Sequence, residues 1–172
     1  MLGCGRNVVV DLGFALDGSN SIDSNEYRLT KDFVKDIIRS FSISEQGTHV
    51  GLLEYASEAS IKVYFDDYDD TNELLMFVEG LTQARAARWK NCLFSSRMGT
   101  NTDRDEDLTQ YTRQIKNRGI RTIAVGVGSD TNATELATIA SSENNVFRLD
   151  EFEELKLIIK DLTPIECQGD LP

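Results

Sequence analysis

Apolar runs and amphipathic stretches alternate along this chain in a regular order. Residues 8–16 are nearly all apolar, as in a strand buried on both faces. Over residues 25–41, Tyr27, Phe33, Val34, Ile37, Ile38 and Phe41 recur at helical spacing, with Ser24 placed to cap the helix. Gly47 interrupts before a second strand, residues 50–55. Residues 59–65 then alternate Ile61, Val63 and Phe65 against Ser60, Lys62 and Tyr64, the pattern of an edge strand with one solvated face. An acidic turn at 66–70 leads to Thr71, a candidate N-cap, with Leu74, Leu75, Phe77 and Val78 behind it.

The second half repeats the alternation. Residues 107–118 predict a helix with Leu108, Tyr111 and Ile115 on one face and Gly119 as its stop signal. Residues 120–127 predict a buried strand, 134–140 a short helix, 146–149 a last strand, and 152–162 a last helix ending before Pro164. Strands alternating with helices predict an α/β fold: a doubly wound, mostly parallel open sheet with helices on both faces. Ligands of such sheets bind at the carboxyl ends of the strands. Asp17-Gly18-Ser19-Asn20-Ser21 lies there, at the end of the first strand. It offers a carboxylate and two hydroxyls at alternating positions. Mg2+ suits oxygen donors of this kind because it keeps several waters and needs few protein ligands.

The 172 residues predict one domain, with a folded body over about 7–163. The formal net charge of −11 argues against nucleic acid or an anionic membrane surface as partner. No apolar stretch approaches the roughly 20 residues of a spanning helix, so membrane insertion is not expected. The N-terminus lacks the apolar core of a signal peptide, as an excised domain or fragment would.

These strands and motifs resemble the von Willebrand factor type A family, which includes the integrin inserted domains. The resemblance is carried by the first strand through Asp17-Gly18-Ser19-Asn20-Ser21-Ile22, the strand 49–55, and Phe65 before its acidic turn. Residues 115–119, Thr122-Ile123-Ala124-Val125-Gly126-Val127-Gly128, Glu135-Leu136 and 146–149 before Phe152 add to it. Nearly all the chain is covered except about residues 82–99. The resemblance implies a six-stranded sheet and metal-dependent adhesion, in which a partner's carboxylate completes the coordination of Mg2+ or Mn2+. Asp17, Ser19 and Ser21 would be the metal ligands. It also implies a secreted, extracellular domain that binds a protein such as collagen or another matrix component, and no enzymatic activity. Of the three cysteines, Cys4 and Cys167 bracket the body, and terminal cysteine pairs are common in this family. Their pairing requires termini that lie side by side and an oxidising compartment, and it would leave Cys92 as an odd thiol.

The family pattern breaks in one interval. Between Leu81 and Leu108 there are 26 residues. A Gly-x-Thr-like loop, a helix, the fourth strand and its aspartate loop should all fit there. A parallel crossover alone needs a dozen or more, so the third-helix region is truncated or aberrant. Two placements compete for Gly99-Thr100-Asn101-Thr102. In one, Thr100 is a metal ligand and the fourth strand is lost. In the other, Cys92-Leu93-Phe94-Ser95-Ser96 is the fourth strand and Met98 stands where the metal-site aspartate belongs. The second is favoured, because deleting a central strand would orphan backbone groups of both neighbours. A shifted frame or misassembled exon over residues 84–98 would account for the break. Ser96-Arg97-Met98-Gly99 can be encoded TCA-CGG-ATG-GGN, and the same bases read one step earlier give Thr-Asp-Gly. A metal-free structural interaction module of the matrix is the alternative function.

Other chemistry is weaker. Gly126-Val127-Gly128 is similar to a dinucleotide loop, but no third glycine follows. Ser19 and Ser21 have no histidine placed to activate them, and His49 reads as a core or strand-end residue. A small α/β nucleotide or phosphoryl enzyme would need a phosphate-cradling loop with lysine, which is absent from the sequence. Asp66, Asp67, Asp69 and Asp70 lack the glycine and closing glutamate of a calcium loop. Asn132-Ala133-Thr134 is an N-glycosylation acceptor in a secreted chain. Tyr64 and Tyr68 are candidates for a contact surface or for edge packing.

Overall fold

The computed structural model describes residues 10–56, 59–85, 109–110, 112–129 and 131–167. They fall into two compact units, one drawn from residues 1–90 and 155–172, the other from 91–154.

The first unit is built on β1 (Asp11–Asp17), β2 (His49–Tyr55) and β3 (Ala59–Val63), in the order β1-β2-β3. β1 and β2 run parallel, from Asp11 opposite His49 to Asp17 opposite Tyr55. β2 and β3 are antiparallel, with an irregularity at Leu52 and Leu53. That bulge changes the simple alternation expected of the edge strand. Val63 is buried as predicted, but Ile61 and Phe65 are exposed, and Lys62 reaches the buried carboxylate of Glu54. Three helices belong to this unit: α1 (Ser24–Ile38), α2 (Thr71–Gly80) and the C-terminal helix Leu155–Cys167. α1 packs on both of the others and on β1. Its face Tyr27, Val34, Ile37 and Ile38 meets a core that includes Leu12, Leu16, Val50, Leu52, Val63, Leu74 and Val78.

Local chemistry moves several boundaries by a residue or more. Asp23, not Ser24, caps α1: its carboxylate accepts from Asn25 N and Glu26 N, while Glu26 reaches back to Asp23 N in a reciprocal capping box. Asp70, not Thr71, caps α2 by the same bonds to Asn72 N and Glu73 N. Asp67 accepts from Tyr64 N, so two of the four aspartates of the acidic turn build the turn itself. Lys31 donates to the carbonyls of Glu79 and Leu81, satisfying the end of α2. Lys35, though nearly buried, pairs with Asp32 and Glu79, and these hydrogen bonds hold its ammonium above the usual lysine range. The last helix does not stop before Pro164 but continues to Cys167. A proline removes one intrahelical bond, and here the helix continues past it.

The second unit contains α3 (109–110 and 112–117), β4 (Ala124–Val127), α4 (Ala133–Ile139) and β5 (Val146–Leu149). The C-terminal helix is therefore α5. β4 and β5 pair in parallel from Ala124 opposite Val146 to Val127 opposite Leu149, and α4 packs on β4. The strand expected over 120–127 is shorter, because Thr122 is held by side-chain bonds to Ile139 O and Ser141 Oγ instead of a ladder. Gly119 ends α3 at a φ of 75°, the left-handed geometry glycine adopts at no cost. The described residues hold five strands against the six that the resemblance implies. The proposed fourth strand 92–96, Met98, Thr100, Leu108 and Tyr111 lie outside them, as do Cys4, Cys92 and the side chain of Cys167.

Candidate functional site

The parallel register of β1 and β2 positions the Asp17 loop. Asp17 lies opposite Tyr55, and Gly18 N donates to Tyr55 O at 2.8 Å, so the first residue beyond β1 is still tied to the sheet. The chain then turns. Ser19 N donates to Asp17 Oδ1 at 2.8 Å, and the hydroxyls of Ser19 and Ser21 stand 2.5 Å apart. Ser19 is buried, Asp17 half-buried and Ser21 exposed. One carboxylate and two hydroxyls thus converge in one turn at the carboxyl end of a strand. Among the described residues, no group of three or more His, Cys, Asp and Glu side chains is arranged to hold a metal.

Beneath this loop lies Glu54, 2% exposed. Its Oε1 accepts from Tyr27 Oη at 2.8 Å and from Ala84 N at 3.1 Å. Lys62 Nζ stands 3.1 Å from Oε2, an ion-pair distance without hydrogen-bond geometry, which leaves that oxygen without a hydrogen bond. A Cβ built on Gly18 would meet Glu54 Cδ at 2.8 Å and Cγ at 2.9 Å, so only glycine lets the loop close over the carboxylate. Burial, and secondarily the bond to Glu54, push the Tyr27 hydroxyl above the ordinary tyrosine range.

Residues 83–85 clasp the loop from the other side. Gln83 Nε2 donates to Ser19 O and Ile22 O, each at 2.9 Å. Arg85 N donates to Gly18 O at 3.1 Å, and its guanidinium bonds to Ser24 Oγ. Arg85 has a φ of 42°, uncommon for a residue with a side chain. Sequence reasoning missed this brace. Glu54 carried a signal, being a lone acid within the apolar strand Val50-Gly51-Leu52-Leu53-Glu54-Tyr55; Gln83 and Arg85 carried none. His49 is far from this loop in register, at the first position of β2. It bonds to Asp11 Oδ1 at 3.0 Å and Glu45 O at 3.2 Å. Those contacts raise its pKa, the Glu45 carbonyl first and Asp11 next.

Parallel and antiparallel strands flanked by helices, with an oxygen-lined turn leaving β1, define an α/β domain with its candidate site at the carboxyl end of the first strand. The chain belongs to the von Willebrand factor type A domain family, whose model matches residues 11–92 and 90–161. It is 27% identical over 190 residues to the human collagen alpha-6(VI) chain, with 96% of this chain and 8% of that one covered. It is 28% identical over 176 residues to the Caenorhabditis elegans transmembrane cell adhesion receptor mua-3, covering 88% and 5%. The chain thus spans less than a tenth of either relative. Proximal thread matrix protein 1 from the mussel byssus, solved with a zinc-occupied MIDAS motif, superposes with a TM-score of 0.80 at 24% identity, over 97% of this chain and 47% of that one. Relatives of this kind place the domain outside the cell, in the extracellular matrix and adhesion setting. No helix among the described residues is long and apolar enough to cross a membrane.

Proposed function

We propose that this domain is a non-enzymatic, protein-binding module of an extracellular matrix assembly, and that its Asp17 loop is a weak divalent-ion site on the contact face. The observation that carries the reading is the convergence of Asp17, Ser19 and Ser21 in a turn fixed from below by Glu54 and from the side by Gln83 and Arg85. The donor set fits a hydrated Mg2+ or Mn2+ in kind, since all three groups are hard oxygens, and Asp17 Oδ2 carries no hydrogen bond among the described residues. Asp17 would bind the ion directly or through water, and the two hydroxyls would complete the protein's share. Once bound, the ion would offer a positive centre to a carboxylate of the partner. A single carboxylate neutralises a divalent charge poorly, so the expected affinity is on the order of millimolar, the weak end for extracellular modules.

A metal-free interaction with a matrix protein such as collagen is the second reading. The brace favours it, because the loop is held in shape by the chain's own hydrogen bonds. Titration calorimetry with MgCl2 and MnCl2 separates the two. The first reading expects millimolar heats that vanish in Asp17→Ala. No heat with either protein leaves the metal-free reading, and equal heat in both places the ion elsewhere.

A further inference from the structure

We propose that Asn132 carries an N-linked glycan, and that the fold reserves the surface around it for that glycan. Asn132-Ala133-Thr134 is the one Asn-x-Ser/Thr triplet in the 172 residues, and an extracellular domain is made through the secretory pathway, where such triplets meet the glycosylation machinery. A triplet alone is a frequent accident of sequence. The structure adds the orientation of the amide.

Asn132 is the N-cap of α4, with an extended backbone at φ −84° and ψ 108°. Its Oδ1 accepts from Thr134 N at 3.0 Å and from Glu135 N at 3.4 Å. The cap therefore uses the carbonyl end of the side chain. Among the described residues the hydrogen bonds of Asn132 leave Nδ2 unengaged. Ser129, Asn132, Ala133, Thr134 and Glu135 are all exposed, so the space beyond Nδ2 opens to solvent. The approach is fixed as well, since Thr131 Oγ1 donates to Gly128 O at 3.1 Å across the preceding turn.

This division of the amide is what attachment requires. Nδ2 attacks the anomeric carbon of a lipid-pyrophosphate-linked oligosaccharide. The Nδ2–C1 bond forms as the bond from C1 to the pyrophosphate oxygen breaks. The lipid pyrophosphate leaves with the electron pair, and Nδ2 gives one proton to a base of the transferase. Nothing is oxidised or reduced. The product amide keeps its carbonyl oxygen, so the bonds to Thr134 N and Glu135 N survive. An N-cap must accept from backbone N–H groups, so it rests on Oδ1 and modification at Nδ2 leaves it in place. The attached sugar would shield the start of α4 and the turn before it, so a protein partner must dock elsewhere.

The test is to direct the chain through the secretory pathway of a glycosylating animal cell with a heterologous leader, then map the Asn132 peptide by mass spectrometry before and after peptide N-glycosidase. The expected result is a glycan on most secreted chains, with a gel shift removed by the enzyme. Asn132→Asp and Thr134→Ala should each abolish the shift, and Thr134→Ser should retain a reduced fraction of it. Asp caps a helix as well as Asn, so Asn132→Asp should leave the urea midpoint unchanged from that of wild-type protein made without glycosylation in a bacterial host. That variant separates loss of the glycan from loss of the fold. An unmodified Asn132 in secreted, folded protein would overturn the proposal, as would a gel shift that persists in Asn132→Asp.

Discussion

Replacing Glu54 by alanine should be among the most damaging single changes near the Asp17 loop. The carboxylate is 2% exposed and takes two hydrogen bonds, from Tyr27 Oη at 2.8 Å and Ala84 N at 3.1 Å. Bonds to a charged group contribute about 1.5–3 kcal/mol each, and removing the acceptor leaves both donors dry. The expected loss is about 3–5 kcal/mol, a fall of about 2 M in the urea midpoint for an m-value near 2 kcal/mol/M. Tyr27→Phe removes one donor while Ala84 N still holds Oε1, and should cost about 1–2 kcal/mol. Lys62→Met should cost less than Glu54→Ala, about 1–3 kcal/mol, because Lys62 is 28% exposed but the carboxylate oxygen it faces is buried and loses its cation. Glu54→Ala and Tyr27→Phe share a contact, so their double mutant should recover about 1–2 kcal/mol relative to additivity. Amide exchange should also quicken at Ala84 in Glu54→Ala. The reasoning fails if Lys62→Met is the costliest of the three, or if Glu54 and Tyr27 prove additive.

Three further outcomes follow from named contacts. Gly18→Ala places a methyl against Glu54 Cδ and Cγ at 2.8 and 2.9 Å, and should destabilise by about 1–3 kcal/mol, measured by urea unfolding, with loss of any Mn2+ heat. Asn132→Ala should cost about 1 kcal/mol in the unglycosylated protein, through the lost cap on α4, where Asn132→Asp costs nothing by the same melt. His49 has a pKa above its ordinary 6.5, so its protonated form is the one the fold favours. Its contribution is full below about pH 6.5 and is lost as pH rises through the folded value; His49→Gln should flatten that stretch of the stability profile.

The regular alternation of runs was enough for the α/β class and for the position of Asp17, but the unbroken apolar run did not mean burial on both faces: in β1 Leu12 and Leu16 are buried while Asp11, Gly13 and Ala15 are exposed. Boundaries were less legible where several side chains compete for one role. At the start of α1, Asp23 and Ser24 can both cap, and the reciprocal bond from Glu26 settles it for Asp23. At α2 Asp70 takes the role from Thr71 without a reciprocal bond, by accepting from Asn72 N and Glu73 N. The alternation along β3 misled because the bulge opposite Leu52 and Leu53 moves the side chains after it out of simple alternation. The brace was invisible for another reason: Gln83 donates to Ser19 and Ile22, more than sixty residues away, through main-chain carbonyls that every residue possesses.

That brace bears on the interval where the family pattern breaks. Ninety-six per cent of 172 residues is about 165, so the 190-position match to the collagen chain includes about 25 positions filled by the relative alone, room for a helix and its loops. The match to mua-3 shows the same shortfall, and the family model divides its match at residues 90–92. That division lies between α2 and β4, in the interval where the resemblance expects the threonine loop and the aspartate of the fourth strand. A metal loop that depended on those parts for its shape would lose it with them. Here Gly18, Ser19 and Ile22 are tied to Tyr55, Gln83 and Arg85 by bonds to main-chain carbonyls, while Glu54 lies close against Gly18 and takes its bonds from Tyr27 and Ala84. None of the ties needs an ion, a threonine or a second aspartate. The Asp17 loop can thus keep a ligand-ready form while its expected affinity for metal falls, which is why the proposed role rests first on binding protein and only second on the ion.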